Sequence, residues 1–215
     1  MSPRKPSKRA YNSSRRQAQA RETRRQIVEA ARRLFLERGY SGATIEAIAQ
    51  EAGVAPETVY ASFGSKRSLL GALIHVSVVG DDEPAPILER EGPAAVRKMT
   101  GQRLQVEGFA ADMTAIMGRM APIFEIMRSA AKNEPEIAAM LKQTLDGRLE
   151  GMRAFVGYLT ANGGLNSDLP AGHAAETVWA ISSGEVYTLL VRDRGWSPAQ
   201  YQEWLAAVLT RLLLP

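Results

Sequence analysis

Residues 44–70 constrain the fold most strongly, because their pattern predicts two short helices joined by a tight turn, with a third helix directly after them. The first helix carries apolar side chains at the i, i+3, i+4 and i+7 spacing of one helix face, at Ile45, Ile48, Ala49 and Ala52. Gly53 supplies the backbone freedom for a sharp turn, and Pro56 opens the second helix where its missing N–H removes no hydrogen bond. This is the helix-turn-helix pattern, in which the second helix lies in the major groove of DNA.

The flanking sequence distinguishes this motif from an ordinary helical hairpin. An amphipathic helix precedes it, with apolar positions at Ile27, Ala30, Ala31, Leu34 and Phe35. Residues 54–63 read Val-Ala-Pro-Glu-Thr-Val-Tyr-Ala-Ser-Phe, and residues 65–70 read Ser-Lys-Arg-Ser-Leu-Leu. Over about residues 21–75 the chain closely resembles the TetR family of bacterial transcriptional repressors, whose turn and second helix usually read Val-Ser-x-x-Thr-Leu-Tyr-x-His-Phe.

The resemblance implies that Thr44, Tyr60 and Lys66 occupy positions that contact DNA phosphates. Hydroxyl and ammonium groups can each donate a hydrogen bond to a phosphate oxygen. For Tyr60, a half-buried ring in the small core of the domain is the alternative interpretation. Neutralising phosphates releases condensed counterions, so we expect the DNA affinity to fall as salt rises.

Base sequence would be read by the exposed face of the second helix, through Ala55, Pro56, Thr58 and Ser62. Ala55 stands where the family commonly has Ser, so the helix lacks a side-chain N-cap, and Ser62 replaces a frequent His. No Arg, Asn or Gln occurs in residues 55–64, which excludes the bidentate base contacts of those side chains. We therefore expect modest direct readout, supplemented by DNA shape.

Charge is divided unevenly along the chain. Residues 1–75 hold 14 Lys and Arg against 6 Asp and Glu, a net charge of +8, whereas residues 76–215 hold 13 against 17, a net charge of −4. A basic N-terminal part on a mildly acidic body is typical of a nucleic-acid contact at one end. Residues 1–20 contain six basic residues and no acidic one, so they are expected to form a disordered arm. This arm either is merely solvated or touches the DNA.

The apolar spacing is helical throughout and predicts an all-α protein. We expect a helix-turn-helix domain over residues 21–80, with the motif at about 44–63, followed by a larger helical domain over 81–215. The polar, proline-containing segment 80–86 marks the boundary between them. In the larger domain the pattern predicts helices at about 93–108, 112–130, 134–161, 171–193 and 198–213, and Asn162-Gly163-Gly164 predicts a left-handed glycine cap after the third.

The resemblance implies that the larger domain binds a small-molecule effector and dimerises. Its middle helices are rich in methionine and aromatic residues, which suit an adaptable apolar pocket or, alternatively, an ordinary core. The residues predicted to line the pocket are Phe109, Met113, Met117, Phe124, Phe155, Tyr158 and Trp179. Glu185 is a candidate polar anchor for the effector, or a solvated carboxylate.

The last two predicted helices carry broad apolar faces that could pair across a two-fold axis as a four-helix bundle. The residues predicted to dimerise are Ile181, Leu189, Trp204, Leu205, Val208 and Leu212. Packing within one chain is the alternative for each of them.

The expected function is that of a ligand-responsive regulator, a repressor, which binds a palindromic double-stranded DNA operator as a homodimer. It would be released when a mainly apolar effector tilts the helix over 65–75. The alternatives are an activator, a corepressor-dependent regulator or an effector-independent one.

The sequence argues against an enzyme. No Gly-rich phosphate loop, nucleophile elbow or zinc-protease motif occurs, and the two histidines, His75 and His173, have no partner at ligand spacing. The absence of cysteine excludes disulfides and thiolate metal sites. We therefore expect no catalytic residues, no metal and no cofactor. Since no apolar run reaches the length of a membrane span, a cytoplasmic location without membrane association is expected.

Overall fold

The computed structural model describes residues 8–80, 89–170 and 172–215, and within these ranges the chain is helical and contains no β-strand. This confirms the all-α class. The polypeptide divides into two compact units, Met1–Leu73 and Ile74–Pro215.

The N-terminal unit contains α1 (Lys8–Gly42), α2 (Ile45–Ala52), α3 (Pro56–Phe63) and the first half of α4 (Lys66–Val79). Gly39 has a φ of 68°, which kinks α1 near its end and lets Tyr40 turn into the core. The core of this unit is built from apolar positions of all four helices: Ile27, Ala31, Leu34, Phe35, Ile48, Val59, Phe63, Leu69 and Leu70. Together with Ala30, which is also buried, Ile27, Ala31, Leu34 and Phe35 form the apolar stripe that the sequence pattern predicted for α1.

Residues 8–20 are helical and not a disordered arm, which corrects the prediction for that part of the chain. The segment contains neither proline nor glycine, so nothing interrupts the helix that the buried part of α1 sustains downstream. Its described side chains, residues 15–20, are exposed. Residues 1–7 lie outside the described part of the chain.

The boundary between the units falls at Leu73, within α4, and not at the polar segment near Gly80 where the sequence predicted it. The last turn of α4 is held by the C-terminal unit, because Arg119 Nε donates a hydrogen bond to the Ser77 carbonyl (2.7 Å) and its Nη2 to the Val78 carbonyl (3.3 Å). Residues 81–86 of the predicted linker lie outside the described residues.

The C-terminal unit contains α5 (Glu91–Lys98), α6 (Gln102–Ala130), α7 (Pro135–Thr160), α8 (Ala174–Ile181), α9 (Gly184–Tyr187), a π-helical turn (Thr188–Asp193) and α10 (Pro198–Leu213). The long helix α6 is its centre and packs against α5, α7, α9 and α10. The helix α10 has the bounds that the sequence predicted, and Ser197 and Gln200 form the predicted capping box at its start.

Two predicted helix boundaries are wrong. The break predicted between 108 and 112 lies instead at 99–101, where Gly101 adopts a φ of 118° that ends one helix and begins the next. The single helix predicted over 171–193 is interrupted, because Ser183 is extended and its side chain caps α9 by accepting a hydrogen bond from Val186 N (3.3 Å).

The helix α7 ends at Thr160, close to the predicted position, but without the predicted left-handed glycine. A side chain at the start of α6 instead donates hydrogen bonds to carbonyl groups at and just beyond the end of α7. Gln102 Nε2 donates hydrogen bonds to the Leu159 carbonyl (3.1 Å) and the Gly164 carbonyl (2.9 Å). A side-chain donor thus replaces the backbone cap that glycine would have provided.

Candidate nucleic-acid interface and ligand cavity

The turn between α2 and α3 has the local geometry that its sequence predicts. Thr44 is the N-cap of α2, since its side-chain oxygen accepts a hydrogen bond from Ala47 N (3.2 Å). Gly53 ends α2 in the left-handed conformation, with φ 68° and ψ 30°. Ala55 makes no side-chain cap to α3, as its methyl group requires, and Pro56 occupies the first helical position. Together α2 and α3 form a helix-turn-helix.

The face of α3 that points away from the core carries the predicted DNA-contacting residues. Val59 and Phe63 are buried, whereas the Tyr60 side chain is 49% exposed. Ala55 is exposed and Pro56, Thr58 and Ser62 are half-buried along the same helix. Tyr60 is therefore available to a partner, and DNA contact by these residues stays a prediction.

Lys66 has a partner within the N-terminal unit. Its Nζ atom donates a hydrogen bond to the Tyr40 carbonyl (2.9 Å) and lies 4.4 Å from the centroid of the Tyr40 ring. The side chain is half-buried. Lys66 thus fastens the beginning of α4 to the end of α1, a structural role that the sequence pattern did not indicate. Its predicted contact with a phosphate stays a prediction.

Arg24 is a residue that the sequence analysis missed. Its Nη1 atom donates a hydrogen bond to the carbonyl oxygen of Ser62 (2.7 Å), and its guanidinium lies 4.1 Å from the centroid of the Phe63 ring. The last turn of α3 is therefore supported from α1. The sequence did contain an indication of this role. Arg24 precedes Ile27 by three residues, so it lies on the same face of α1 as the apolar stripe, one turn before its first residue.

A cavity of about 300 Å³ lies within the C-terminal unit, among α4, α5, α6 and α7. Its walls are almost wholly apolar. Six of the seven residues predicted to line a pocket do line it, namely Phe109, Met113, Met117, Phe124, Phe155 and Tyr158. The rings of Phe109 and Phe155 are stacked, with centroids 4.0 Å apart. Val78 also lines the cavity, so the end of α4 forms part of its wall.

Trp179 does not line this cavity, which corrects the prediction for that residue. Its indole Nε1 donates a hydrogen bond to the Leu145 carbonyl (3.3 Å), and the ring borders a smaller adjoining cavity. Glu185 is 50% exposed and forms an ion pair with Arg128. Glu185 is therefore outside the larger cavity and does not serve it as a polar anchor.

Two charged residues in the wall were not predicted, Asp112 from α6 and Arg148 from α7. Arg148 Nη2 donates hydrogen bonds to the Trp179 carbonyl (2.7 Å) and Ser182 Oγ (2.8 Å), and its guanidinium lies 5.3 Å from the Trp179 ring centroid. Burial lowers the pKa of Arg148 to about 10, so the side chain remains charged at neutral pH. Burial also raises the pKa of Asp112 above its ordinary value.

The residues predicted to dimerise divide into three groups. Leu189 and Leu212 are 57% and 37% exposed, and Ile181, Trp204 and Val208 are half-buried. Leu205 is fully buried within a single chain, so it packs in the core and not on a surface that a second copy could reach. The prediction for Leu205 is corrected by this placement. The other five keep some surface, and their role stays a prediction.

The fold and the helix-turn-helix have counterparts among known proteins. Residues 27–73 match the family described as "Bacterial regulatory proteins, tetR family". The HTH-type transcriptional regulator UidR of Escherichia coli (strain K12) is 33% identical over 126 residues, which span 59% of this chain and 60% of UidR. The HTH-type transcriptional repressor BepR of Brucella suis is 29% identical over 193 residues, 83% of this chain and 85% of BepR.

The fold is also similar to that of a solved structure from Saccharomonospora viridis, which is described as a putative transcriptional regulator in complex with choline. The two chains superpose with a TM-score of 0.68 at 19% identity, covering 90% of this chain and 98% of the other. At this level of identity the likeness concerns the fold alone.

The geometry of α2 and α3 defines a helix-turn-helix protein. The match of residues 27–73 to the family model and the similarity to UidR and BepR support its classification in the TetR family of bacterial regulatory proteins. UidR is named a transcriptional regulator and BepR a transcriptional repressor, and neither name is that of an enzyme, in agreement with the expectation from the sequence. Among the described helices, none combines the length and the apolar character needed to cross a bilayer.

Proposed function

We propose that this protein is a cytoplasmic transcriptional repressor that binds a palindromic DNA operator as a dimer and is released by a small, mainly apolar effector. The observation that carries the proposal is the outward face of α3, where Tyr60 is 49% exposed beside the half-buried Thr58 and Ser62. A helix held in this way after a tight turn suits insertion into the major groove. The relative BepR is named a transcriptional repressor, which supports repression and not activation as the proposed mode of regulation.

Dimerisation follows from the operator geometry that we propose. Two recognition helices would reach successive major grooves when their centres are about 34 Å apart, or a multiple of that distance. A two-fold protein matches a palindromic site because both half-sites then receive the same surface. The apolar side chains that keep surface near the C-terminus, Leu189 and Leu212 above all, are the candidates for the shared face.

The effector would bind in the cavity of about 300 Å³ and act through α4. Val78 near the end of α4 lines the cavity, and Arg119 on α6 holds the carbonyls of Ser77 and Val78. A molecule that favours a different packing of α6 would therefore also move the end of α4, which is continuous with the N-terminal unit. An effector shifts the equilibrium only by its difference in affinity between the two arrangements. The choline bound to the structural relative supports a small-molecule ligand.

DNA binding is tested by titrating the full-length protein into labelled duplex from the region upstream of its own gene, with a random duplex of equal length as control. We expect a salt-sensitive complex with both, and a tighter one with the upstream region. If neither duplex is retarded at low salt, the proposed function is wrong. Transcription from the same template then separates a repressor from an activator, because only a repressor lowers the transcript yield.

Effector binding is tested by filling the cavity. Gly151 on α7 lines it, and a side chain at this position would meet no atom within 4 Å of its Cβ. Gly151→Phe should abolish the thermal stabilisation produced by small apolar compounds and keep DNA binding. Gly157→Phe is the matched control, since Gly157 is on the same helix, is equally open and lies outside the cavity. Equal stabilisation of both variants would contradict the cavity as the effector site.

A further inference from the structure

The carboxylate of Asp112 is the feature of the cavity that the proposed function does not use. Among the described residues that line the cavity it is the sole acidic side chain. No N–H or O–H group in the described part of the chain donates a hydrogen bond to it, and no described cation pairs with it. Removing a carboxylate from water without a partner is unfavourable, so a charge placed in this way favours a ligand that supplies the missing partner.

The position of this carboxylate is restricted by the backbone of α5. A Cβ atom added to Gly92 would lie 2.5 Å from both carboxylate oxygens of Asp112, so the close approach requires glycine at that position. Phe109 precedes Asp112 by three residues on α6, which puts the ring and the carboxylate on neighbouring positions of one helix face. An aromatic face beside a carboxylate is a combination that attracts cations.

Arg148, the other charge in the wall, is partly satisfied by neutral groups, and its Nε has no hydrogen-bond partner. Its guanidinium donates hydrogen bonds to the Trp179 carbonyl and to Ser182 Oγ, and it lies over the Trp179 ring. Asp112 has no hydrogen-bond donor among the described residues, so it is the less satisfied of the two charges at the cavity. A metal ion would not satisfy it, because hard divalent cations need several oxygen ligands and no second carboxylate lines the cavity among the described residues.

We propose that the effector is an organic cation with an apolar body, whose protonated or quaternary nitrogen pairs with Asp112 while the body fills the methionine- and phenylalanine-lined space. This inference rests on the proposed function and names the chemical class of its effector. Neutral and anionic compounds of the same shape bind more weakly, because they leave the carboxylate unpaired or oppose it.

The test uses three probes with one body and different charges at neutral pH: phenylbutylamine, phenylbutanol and phenylbutyrate. Calorimetry on the full-length protein should give an amine affinity about tenfold or more above that of the alcohol, the value expected for one charge-assisted hydrogen bond. Asp112→Asn should remove this preference and leave the alcohol affinity unchanged. Asp112→Glu, which keeps the charge, should retain the preference even where packing is altered.

Asp146→Asn is the matched control, because Asp146 lies on α7, is exposed, pairs with Lys142 and does not line the cavity. It should bind all three probes as the unaltered protein does. The inference is overturned if the alcohol or the acid binds as tightly as the amine, if Asp112→Asn keeps the amine preference, or if no probe binds.

A second readout separates this inference from the proposed function. Each probe is added to the complex with upstream DNA, and release of the DNA is followed by fluorescence anisotropy. If the alcohol or the acid binds and releases DNA without any preference for the amine, effector-controlled repression stands and the cationic class is wrong. If no DNA complex forms in the first place, the proposed function itself fails.

Discussion

Arg24 and Ser62 are joined by a hydrogen bond of 2.7 Å from the guanidinium of one to the main-chain carbonyl of the other, although 38 residues separate them in the chain. Ser62 is in the last turn of α3, where carbonyl groups have no partner within the helix. The guanidinium also covers the ring of Phe63. A side chain of α1 thus helps to orient α3.

Replacing this side chain should weaken DNA binding without any loss of a direct base contact. For Arg24→Met we expect an affinity about tenfold lower for the upstream region, because α3 loses its donor and its orientation broadens. Arg25→Met is the control with the same change of charge, since Arg25 is exposed and pairs with Glu22 one turn away. Anisotropy titrations at one salt concentration measure both, and equal losses would show that only charge matters.

The Tyr60 hydroxyl is predicted to donate to a phosphate. Tyr60→Phe should lower the affinity for the upstream and the random duplex by the same factor, about tenfold at most, because phosphate contacts carry no base information. The melting temperature should not change, since about half of the side chain is exposed. A change in the preference between the two duplexes would instead place this residue among the groups that read bases.

Exposed leucines near the C-terminus should determine the oligomeric state. Leu189→Glu introduces a charge at a side chain that is 57% exposed, and we expect it to shift the protein from dimer to monomer and to lower operator affinity. Leu104→Glu is the matched control, because Leu104 is 55% exposed and is outside the predicted dimer face. Sedimentation velocity measures the outcome. Dissociation by both variants or by neither would remove Leu189 from the interface.

Arg119 should carry the response from the cavity to α4. Arg119→Met removes the donors to the Ser77 and Val78 carbonyls, so we expect effector binding and DNA binding to persist while effector-driven DNA release is reduced. Arg128→Met on the same helix is the control, because the partner of Arg128 is Glu185. The readout is the amount of amine probe needed to release half of the DNA. An unchanged value would exclude this route.

The half-buried carboxyl of Asp112 should make stability depend on pH. Its pKa is raised in the folded protein by burial, so the ionised form is less favourable there than in the unfolded chain. This penalty is absent below the ordinary pKa of 3.8, where both states are protonated, and is complete above the raised folded pKa. Asp112→Asn should therefore raise the free energy of unfolding at neutral pH and have no such effect in acid. Urea titrations over this range measure the difference.

The sequence predicted best those features that depend on residues close together in the chain, such as helix starts and tight turns. Ser197, Pro198 and Gln200 determine the start of α10 through their own backbone and side-chain preferences, and this helix has the predicted bounds. The helix-turn-helix was predictable for the same reason. Methionine and aromatic residues at helical spacing also indicated most of the cavity wall, because they mark the apolar faces of α6 and α7, which pack together and line the cavity.

What the sequence did not reveal depends on contacts between distant residues. The orientation of Asp112 against Gly92 and the pairing of Arg148 with Trp179 are set by how α6 meets its neighbours, which no spacing along one helix can specify. Leu205 and Leu212 have the same periodicity, yet one is fully buried and the other is 37% exposed. Likewise, Ser183 breaks a strongly apolar helical pattern through a cap that competes with the helix.

The course of α4 has a practical consequence for building chimeric regulators. This helix runs from Lys66 to Val79, while the packing boundary falls inside it at Leu73. A graft made at that boundary would fuse halves of two different helices, and one residue too many or too few would rotate everything downstream by about 100°. Exchanges made after Gly80 would keep the helix whole, but the new C-terminal part would then have to supply a donor in place of Arg119 for the carbonyls of Ser77 and Val78.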